Sequence, residues 1–202
     1  MSSPTAEPHY PSLESINRNK LMDAAISCLQ AMPLNKITMQ HIAAKSGIVR
    51  QTVYNYYSNK NELLAAAFQR EGIKMAEAVA AHIKPLACIE DKFVAGFVFV
   101  VQNFARNPIL ARVIEPGSDF LGTVGMTHYP FAAFGLLSYH EVFDANPALS
   151  EQAEEISELW VRNCLSLLTM PAAHQRSPAE LADYVRRRLV PGLHLGDGRC
   201  CA

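Results

Sequence analysis

The 202-residue sequence has no long apolar stretch and few signs of β-structure. Its longest apolar run, Phe93 to Val101, is far shorter than the roughly 20 residues that a membrane-spanning helix needs. Alternating runs of β-branched residues bounded by turn residues hardly occur, which argues against strands. Three prolines in the first 11 residues, with neither a basic start nor an apolar core, argue against a secretion signal. We therefore expect a cytoplasmic protein without a membrane segment.

Paired cysteines and catalytic motifs are also missing. The five cysteines are odd in number and scattered, which fits neither a secreted disulfide framework nor paired zinc ligands. We find no nucleophile elbow, glycine-rich phosphate loop, zinc-protease helix or pair of catalytic carboxylates. The sequence therefore predicts reduced thiols, no metal, no cofactor and no enzymatic activity, with oxidation of an exposed Cys200 or Cys201 as a minor alternative.

The formal net charge of −1 hides an uneven distribution along the chain. The segment from Leu13 to Lys74 carries eight Lys and Arg residues against four Asp and Glu residues, so the remainder is acidic. This division predicts a basic module that approaches a polyanion and a larger body with a different task.

Apolar residues in the first part of the chain recur at helical spacing. We expect Ser15 to cap a first helix that ends before Pro33. A second helix is expected to begin after Thr38 and to end at Gly47, and a third to run over residues 50–56. Two short helices joined by a tight turn cannot bury enough surface alone, so they are expected to pack on the first helix as a helix-turn-helix.

A longer helix is predicted from Ser58 to Pro85, and prolines and glycines then separate about five further helical segments. The clearest of these segments are Ile89 to Asn107, Phe131 to Phe143, Ala148 to Met170 and Ala179 to Val190. The sequence therefore predicts an all-α protein of about nine helices. Its expected parts are a flexible tail over residues 1–14, a three-helix domain over 15–58, a C-terminal helical bundle over 59–195 and a second flexible tail over 196–202.

Residues 18 to 64 resemble the N-terminal signature of the TetR family of transcription regulators. Helix caps, a turn glycine, an aromatic residue and a basic residue fall at the intervals of that signature. Three positions depart from it: Val49 stands where Ser or Thr usually caps the recognition helix, Gln51 where Gly is common, and Tyr56 where His is usual. The matching residues are Leu21, Met22, Ala24, Ala25, Leu29, Thr38, Ile42, Ala43, Gly47, Thr52, Tyr54, Lys60 and Leu63.

The third helix is the element expected to enter a major groove, because it is short and carries polar side chains away from its packing face. The fork of Arg50 suits the O6 and N7 acceptors of guanine, so we expect it to read a base, with Gln51 and Asn55 as further base readers. A partly exposed, packed aromatic patch is the alternative for the tyrosines of this helix. The resemblance assigns phosphate contacts to Thr38, Thr52, Tyr54, Tyr56 and Lys60.

Aromatic side chains are concentrated in the C-terminal part, and a helical bundle of this kind commonly leaves an apolar cavity between its helices. The resemblance points to the space between the long helix and the helices that follow it. Ordinary core packing is the alternative for each of these rings. The candidate lining residues are Phe97, Phe104, Phe134, Tyr139, Trp160 and Asn163, with His128 or His140 as polar partners.

One short recognition helix contacts too few bases for useful specificity. This predicts a homodimer that reads the two half-sites of a palindromic operator in double-stranded DNA. By resemblance, the last two long helices form the dimer interface. The residues expected there are Val161, Leu165, Leu168, Val185 and Leu189.

These features together predict a sequence-specific, DNA-binding transcriptional regulator. The favoured mechanism is a repressor that is released from DNA by a small, largely apolar ligand bound in the C-terminal domain, with activation left open. The alternative is a helical small-molecule binding or carrier protein without DNA-binding activity.

Overall fold

The structure, a computed structural model, describes residues 12–115, 118–123, 131–170 and 176–195. Every regular element in these ranges is a helix, which confirms the predicted all-α class. The chain divides into two compact units after Ala67. The sequence placed this boundary after Ser58, where the long helix was expected to begin. The first residues of that helix belong to the first unit because Leu63 and Leu64 are fully buried there.

The first unit contains three complete helices and the start of a fourth. They are α1 (Leu13–Ala31), α2 (Met39–Ser46), α3 (Arg50–Tyr56) and α4 (Lys60–Ile83). Because α2 and α3 have only eight and seven residues, they are too short to be stable alone and depend on packing against their neighbours. The buried apolar side chains that provide this packing include Leu21, Ala25, Leu29, Ile37, Ile42, Val53 and Leu63.

Two capping predictions are wrong. The hydroxyl of Ser12, not Ser15, caps α1 by accepting a hydrogen bond of 3.1 Å from the amide of Ser15. At the start of α4, the side-chain oxygen of Asn59 accepts a 2.9 Å hydrogen bond from the amide of Glu62, and the carboxylate of Glu62 accepts one of 2.7 Å from the amide of Ser58. Two residues that suit a cap stand near each helix start, Ser12 and Ser15 for α1 and Ser58 and Asn59 for α4, so the pattern locates each start only to within a turn.

The second unit contains the rest of α4 and seven further helices within the described residues. They are α5 (Ile89–Asn103), α6 (Ala111–Ile114), α7 (Phe120–Thr123), α8 (Phe131–Ala145), α9 (Pro147–Ser150), α10 (Ala153–Thr169) and α11 (Pro178–Arg188). The described ranges thus hold more helices than the nine predicted, because α6, α7 and α9 are single turns of four residues. Such short turns are hard to recognise from apolar periodicity.

Helices α8 and α10 pack closely in the second unit. A Cβ atom added to Gly135 of α8 would lie only 2.6 Å from the Cβ atom of Ser157 on α10, so the absence of a side chain allows this approach. The backbone of α8 leaves helical geometry at Tyr139, which has φ −119° and ψ 17°. The bend lies one turn beyond the close contact and directs the Tyr139 ring into the core, where it is 1% exposed.

The described part of the chain offers neither a membrane span nor a metal cluster. No helix in it is long and apolar enough to cross a membrane. No group of three or more His, Cys, Asp or Glu side chains in these ranges could hold a metal ion. The thiols of Cys28, Cys88 and Cys164 are free. Cys200 and Cys201 lie outside the described residues. Most of the two predicted tails, residues 1–11 and 196–202, lies outside them as well.

Candidate functional site

The turn between α2 and α3 sets the position of the third helix. Thr38 caps α2 as predicted, because its hydroxyl accepts a 3.2 Å hydrogen bond from the amide of His41. Gly47 ends α2 in the left-handed conformation, with φ 69°, where glycine avoids the steric cost of a Cβ atom. The hydroxyl of Ser46 then donates to the carbonyl of Ala43 (3.0 Å) and accepts from the amide of Ile48 (3.2 Å), which braces the turn.

One face of α3 is buried and the other is exposed and polar. Val53 is fully buried and anchors the helix in the first unit. The predicted base readers Arg50, Gln51 and Asn55 are all exposed. The guanidinium carbon of Arg50 lies 5.8 Å from the centre of the Tyr54 ring one turn away, so this aromatic ring orients the arginine along the exposed face. These groups offer hydrogen-bond donors and acceptors to an approaching partner.

The residues predicted to hold phosphates stand in different environments. Thr38 and Tyr54 are exposed, and Thr52 is half-buried. The Nζ atom of half-buried Lys60 donates a 3.2 Å hydrogen bond to the carbonyl of Leu34. Because an ammonium group has three donors, Lys60 keeps two for another acceptor. The role of these residues toward DNA stays a prediction.

Tyr56 is held by two residues of α1 that the sequence analysis did not identify. Its hydroxyl accepts a 2.9 Å hydrogen bond from Nδ2 of Asn17. The guanidinium carbon of Arg18 lies 5.7 Å from the Tyr56 ring centre and 5.5 Å from that of Tyr57, and Arg18 also pairs with Glu14 at 3.1 Å. These contacts fix the end of α3 against α1. No local pattern signals them, because they join residues 38 or 39 positions apart.

The second unit contains an apolar cavity, partly open to solvent, with about 40 Å³ of free space. Of the predicted lining residues, Phe104 and Phe134 line it. Val161, Leu165 and Leu168, which the sequence analysis assigned to a dimer interface, line it as well. The remaining wall residues were not predicted: Phe68, Gly72, Val100, Leu110, Val113 and Cys164.

The other predicted pocket aromatics form a packed cluster. The Tyr139 ring stacks on Phe93 with centres 4.1 Å apart, and Phe97 meets Trp160 edge-on at 5.8 Å. The carbonyl of Phe93 accepts hydrogen bonds from Nε1 of Trp160 (3.3 Å) and from the hydroxyl of Tyr139 (3.4 Å). Burial raises the pKa of Tyr139 well above its usual value, so this phenol stays protonated and donates. These three predicted residues are packed in the core next to the cavity.

The predicted polar partners of the pocket do not line it within the described residues. The half-buried Asn163 donates a 2.8 Å hydrogen bond from Nδ2 to the carbonyl of Leu159 on its own helix. His140 is exposed, with Nδ1 2.9 Å from the carbonyl oxygen of Leu137. His128 lies outside the described residues.

The predicted interface residues Val185 of α11 and Leu189, which directly follows it, are also buried within the chain, at 1% and 8% exposure. In the described part of the second unit, the large apolar side chains that are exposed are Ile73, Leu137, Leu159 and Met170. The homodimer and its interface stay predictions, and these exposed residues are further candidates for it.

A polar contact beside the cavity joins α4 to the segment after α5. Oε2 of Glu71 accepts a 2.8 Å hydrogen bond from Nδ2 of Asn107, and its Oε1 lies 2.8 Å from Nζ of Lys74 and 3.3 Å from Nε of Arg70. Oδ1 of Asn107 in turn accepts from the amides of the next turn, including Ile109 at 3.0 Å. The hydrogen bond between Glu71 and Asn107 thus lies next to residues of the cavity wall, both on α4 and on the segment after α5.

Glu71 is expected to stabilise the second unit in a pH-dependent manner. Burial by itself raises the pKa of this carboxyl, but hydrogen bonds from Lys74 and Asn107 and the nearby positive charges lower it overall below its ordinary value. A carboxyl with a lowered pKa in the folded state contributes stability above its unfolded pKa and loses it as the pH falls through the folded pKa.

We therefore expect Glu71→Gln to reduce the free energy of unfolding by roughly 1–2 kcal/mol at pH 7, and the difference from the unmodified protein to shrink below about pH 4. Urea unfolding followed by circular dichroism at a series of pH values measures this. Glu77→Gln, at an exposed position of the same helix, is the matched control and should change little. A pH-independent deficit for Glu71→Gln would contradict the assigned cause.

Comparison with known proteins identifies relatives of both parts of the chain. Residues 21–67 match the family described as bacterial regulatory proteins, tetR family. The chain is 32% identical over 109 residues to the HTH-type transcriptional regulator BetI of Cronobacter sakazakii. This match covers 54% of this chain and 53% of BetI, so it spans about half the length of that protein. It is 25% identical over 185 residues to the HTH-type transcriptional regulator AlkX of Mycobacterium tuberculosis, covering 85% of this chain and 87% of that one.

A solved structure extends the likeness to the fold of nearly the whole chain. The TetR family repressor AlkX from Dietzia sp. strain DQ12-45-1b, implicated in biodegradation of n-alkanes, superposes with a TM-score of 0.61 at 21% identity. The match covers 88% of this chain and 95% of the other. The helix-turn-helix of the first unit thus matches the tetR family of bacterial regulatory proteins, and the fold of nearly the whole chain is similar to that of a solved TetR family repressor.

Proposed function

We propose that the protein is a sequence-specific, DNA-binding transcription regulator that acts as a homodimer. The observation that carries this proposal is the exposed polar face of α3 opposite the fully buried Val53. Two copies of α3 would enter successive major grooves, about 34–36 Å or a multiple of that distance apart. The recognition helix is rigid enough for this role because α1, the turn at Gly47 and Tyr56 hold it at both ends.

The residues of the first unit divide into two roles in this proposal. Arg50, Gln51 and Asn55 read base edges, because exposed guanidinium and amide groups match the acceptors and donors of guanine and adenine. The phosphate backbone is bound by Thr38, Thr52, Tyr54, Tyr56 and Lys60. Exposed Lys20, Lys36 and Lys45 add positive charge to the same unit and strengthen attraction to DNA.

We further propose that the output is repression, relieved by a small, largely apolar ligand in the cavity of the second unit. Phe68 and Gly72 of α4 form part of the cavity wall, and the first residues of α4 belong to the first unit. A ligand that displaces this wall therefore moves a helix shared with the DNA-binding unit. A difference of about 1–3 kcal/mol in ligand affinity between the two states would weaken DNA binding by roughly 5- to 150-fold. The relative AlkX of Dietzia, described as a repressor, supports this direction of control.

Selection of duplexes from a random-sequence pool by the full-length protein tests the DNA-binding function. We expect a palindromic sequence to be enriched, and its affinity, measured by fluorescence anisotropy, to fall steeply as salt increases. Failure to enrich any sequence, together with binding of a small molecule in the second unit, would instead support a carrier protein without DNA-binding activity.

A further inference from the structure

The wall of the cavity in the second unit carries no charged side chain among the described residues. All but one of its members are apolar side chains or glycine. The exception is Cys164, whose thiol is buried, and burial raises its pKa well above the usual value, so it is uncharged. The nearby carboxylate of Glu71 is engaged by Asn107 and Lys74 outside the lining set. Among the described residues, a ligand would therefore meet an uncharged surface that offers almost no hydrogen bonds.

Such a wall discriminates strongly against an ionised ligand. A charged group moved from water to a site without a partner of opposite charge loses its hydration and gains nothing in return, so it enters only in its neutral form. A carboxylic acid of ordinary pKa, about 4, is neutral in roughly one molecule in a thousand at pH 7. A ligand that carries a carboxylate should therefore bind about 1000-fold more weakly than a neutral molecule of the same shape.

We infer that the effector is a neutral hydrocarbon-like molecule, aliphatic or aromatic, without an ionised group. This inference rests on the proposed function for its role as an effector, but the ligand class follows from the cavity alone. The cavity is expected to reject carboxylates and alkylammonium ions built on the same apolar skeleton. Within the described part of the wall, the neutral thiol of Cys164 is the one side chain that offers a weak polar contact.

The free space also implies that the cavity must widen around its ligand. Its roughly 40 Å³ is well below the about 150 Å³ of a dry cavity that binds benzene. Val113, Leu165 and Leu168 are only half-buried, so they are the wall residues that yield most readily.

Trp160 provides a direct readout, because it is the single tryptophan of the chain and its ring centre lies 6.3 Å from that of the lining residue Phe134. We would titrate the full-length protein with bromobenzene, 4-bromobenzoate and 4-bromobenzylammonium and follow heavy-atom quenching of Trp160 fluorescence. At pH 7 bromobenzene is expected to bind at least ~100-fold more tightly than either ion. The affinity for 4-bromobenzoate should rise about tenfold when the pH is lowered from 7 to 6, because its neutral fraction rises tenfold.

Two variants connect the quenching to the cavity. Val113→Phe fills free space at a half-buried wall position and should abolish quenching by bromobenzene. Leu165→Lys places a cation at the wall and should reverse the preference toward 4-bromobenzoate, whereas Leu165→Met, of similar length without charge, should keep the original order. Reversal of preference is a result that a merely misfolded variant would not give.

Two outcomes would overturn the inferred ligand class. One is binding of 4-bromobenzoate or 4-bromobenzylammonium within tenfold of bromobenzene at pH 7, and the other is quenching by bromobenzene that Val113→Phe leaves intact. Anisotropy with the selected DNA separates this result from the proposed function. If quenching follows the expected order while DNA stays bound at saturating bromobenzene, the ligand class stands and the proposed release by apolar ligands is rejected.

Discussion

Replacing Arg50 by Ala is expected to weaken binding of the selected DNA by about 30-fold or more. A bidentate contact from arginine to guanine contributes about 1–3 kcal/mol of discrimination, and a dimer loses two such contacts, so the minimum loss is about 2 kcal/mol. The fold itself should be unaffected, because the Arg50 side chain is exposed and lies over the ring of the likewise exposed Tyr54. Fluorescence anisotropy with the selected and a scrambled duplex measures both affinities.

Two further variants separate base reading from simple charge. Arg50→Lys keeps the positive charge but not the planar guanidinium fork. Its affinity for the selected duplex should therefore stay low, whereas its affinity for the scrambled duplex should return to that of the unmodified protein. Arg106→Ala removes the same charge from an exposed position of the second unit and should leave both affinities unchanged. Equal losses on both duplexes for Arg50→Ala would identify Arg50 as a phosphate contact and refute its assignment as a base reader.

Replacing Trp160 by Ala is expected to reduce the free energy of unfolding by about 3–5 kcal/mol, the largest stability effect we anticipate for a single substitution. The ring is completely buried and lies against Phe97, Tyr139 and Phe134, with centres 5.2–6.3 Å away. Truncation removes these contacts, leaves a void at the centre of the bundle and takes away one of the two donors to the Phe93 carbonyl.

Urea unfolding followed by circular dichroism at 222 nm, a standard helical band, measures this loss without relying on tryptophan fluorescence. Leu159→Ala changes the adjacent residue of the same helix, which is 38% exposed, and should cost less than about 1 kcal/mol. Trp160→Phe keeps an aromatic ring and should fall between the two. A loss for Trp160→Ala no larger than that for Leu159→Ala would show that the aromatic cluster does not anchor the second unit.

The first unit was predictable in most respects because its signals are local. Thr38 caps α2 through an amide three residues away, and Gly47 ends the same helix through its own backbone conformation. The third helix begins at Arg50 and ends at Tyr56 as predicted. The capping errors at Ser15 and Ser58 arose where several polar residues compete for one role. The bracing of Tyr56 by Asn17 was missed because it depends on how α1 and α3 pack.

The two faces of α10 show why the second unit was harder to predict. Apolar periodicity correctly indicates a helix with a wide apolar surface, and Val161, Leu165 and Leu168 belong to it. Periodicity does not say what covers each part of that surface. In the structure these three side chains and Cys164 line the cavity, while Trp160 is buried beside them and Leu159 is exposed. The dimer interface predicted at Val161, Leu165 and Leu168 stays a prediction, and the structure adds that these side chains line an internal cavity.

The amino-acid sequence by itself determined the helical class, the cap of α2, the turn of the helix-turn-helix and the polar side chains of α3, because hydrogen bonds and periodicity within a few residues set these features. Only the tertiary structure decided which apolar side chains enclose a cavity and which form a solid core. That distinction depends on contacts between residues far apart in the chain, such as Phe68 with the helices after it, and on how closely Gly135 lets α8 approach α10. Free space in a protein is a property of several surfaces together, so no single segment encodes it.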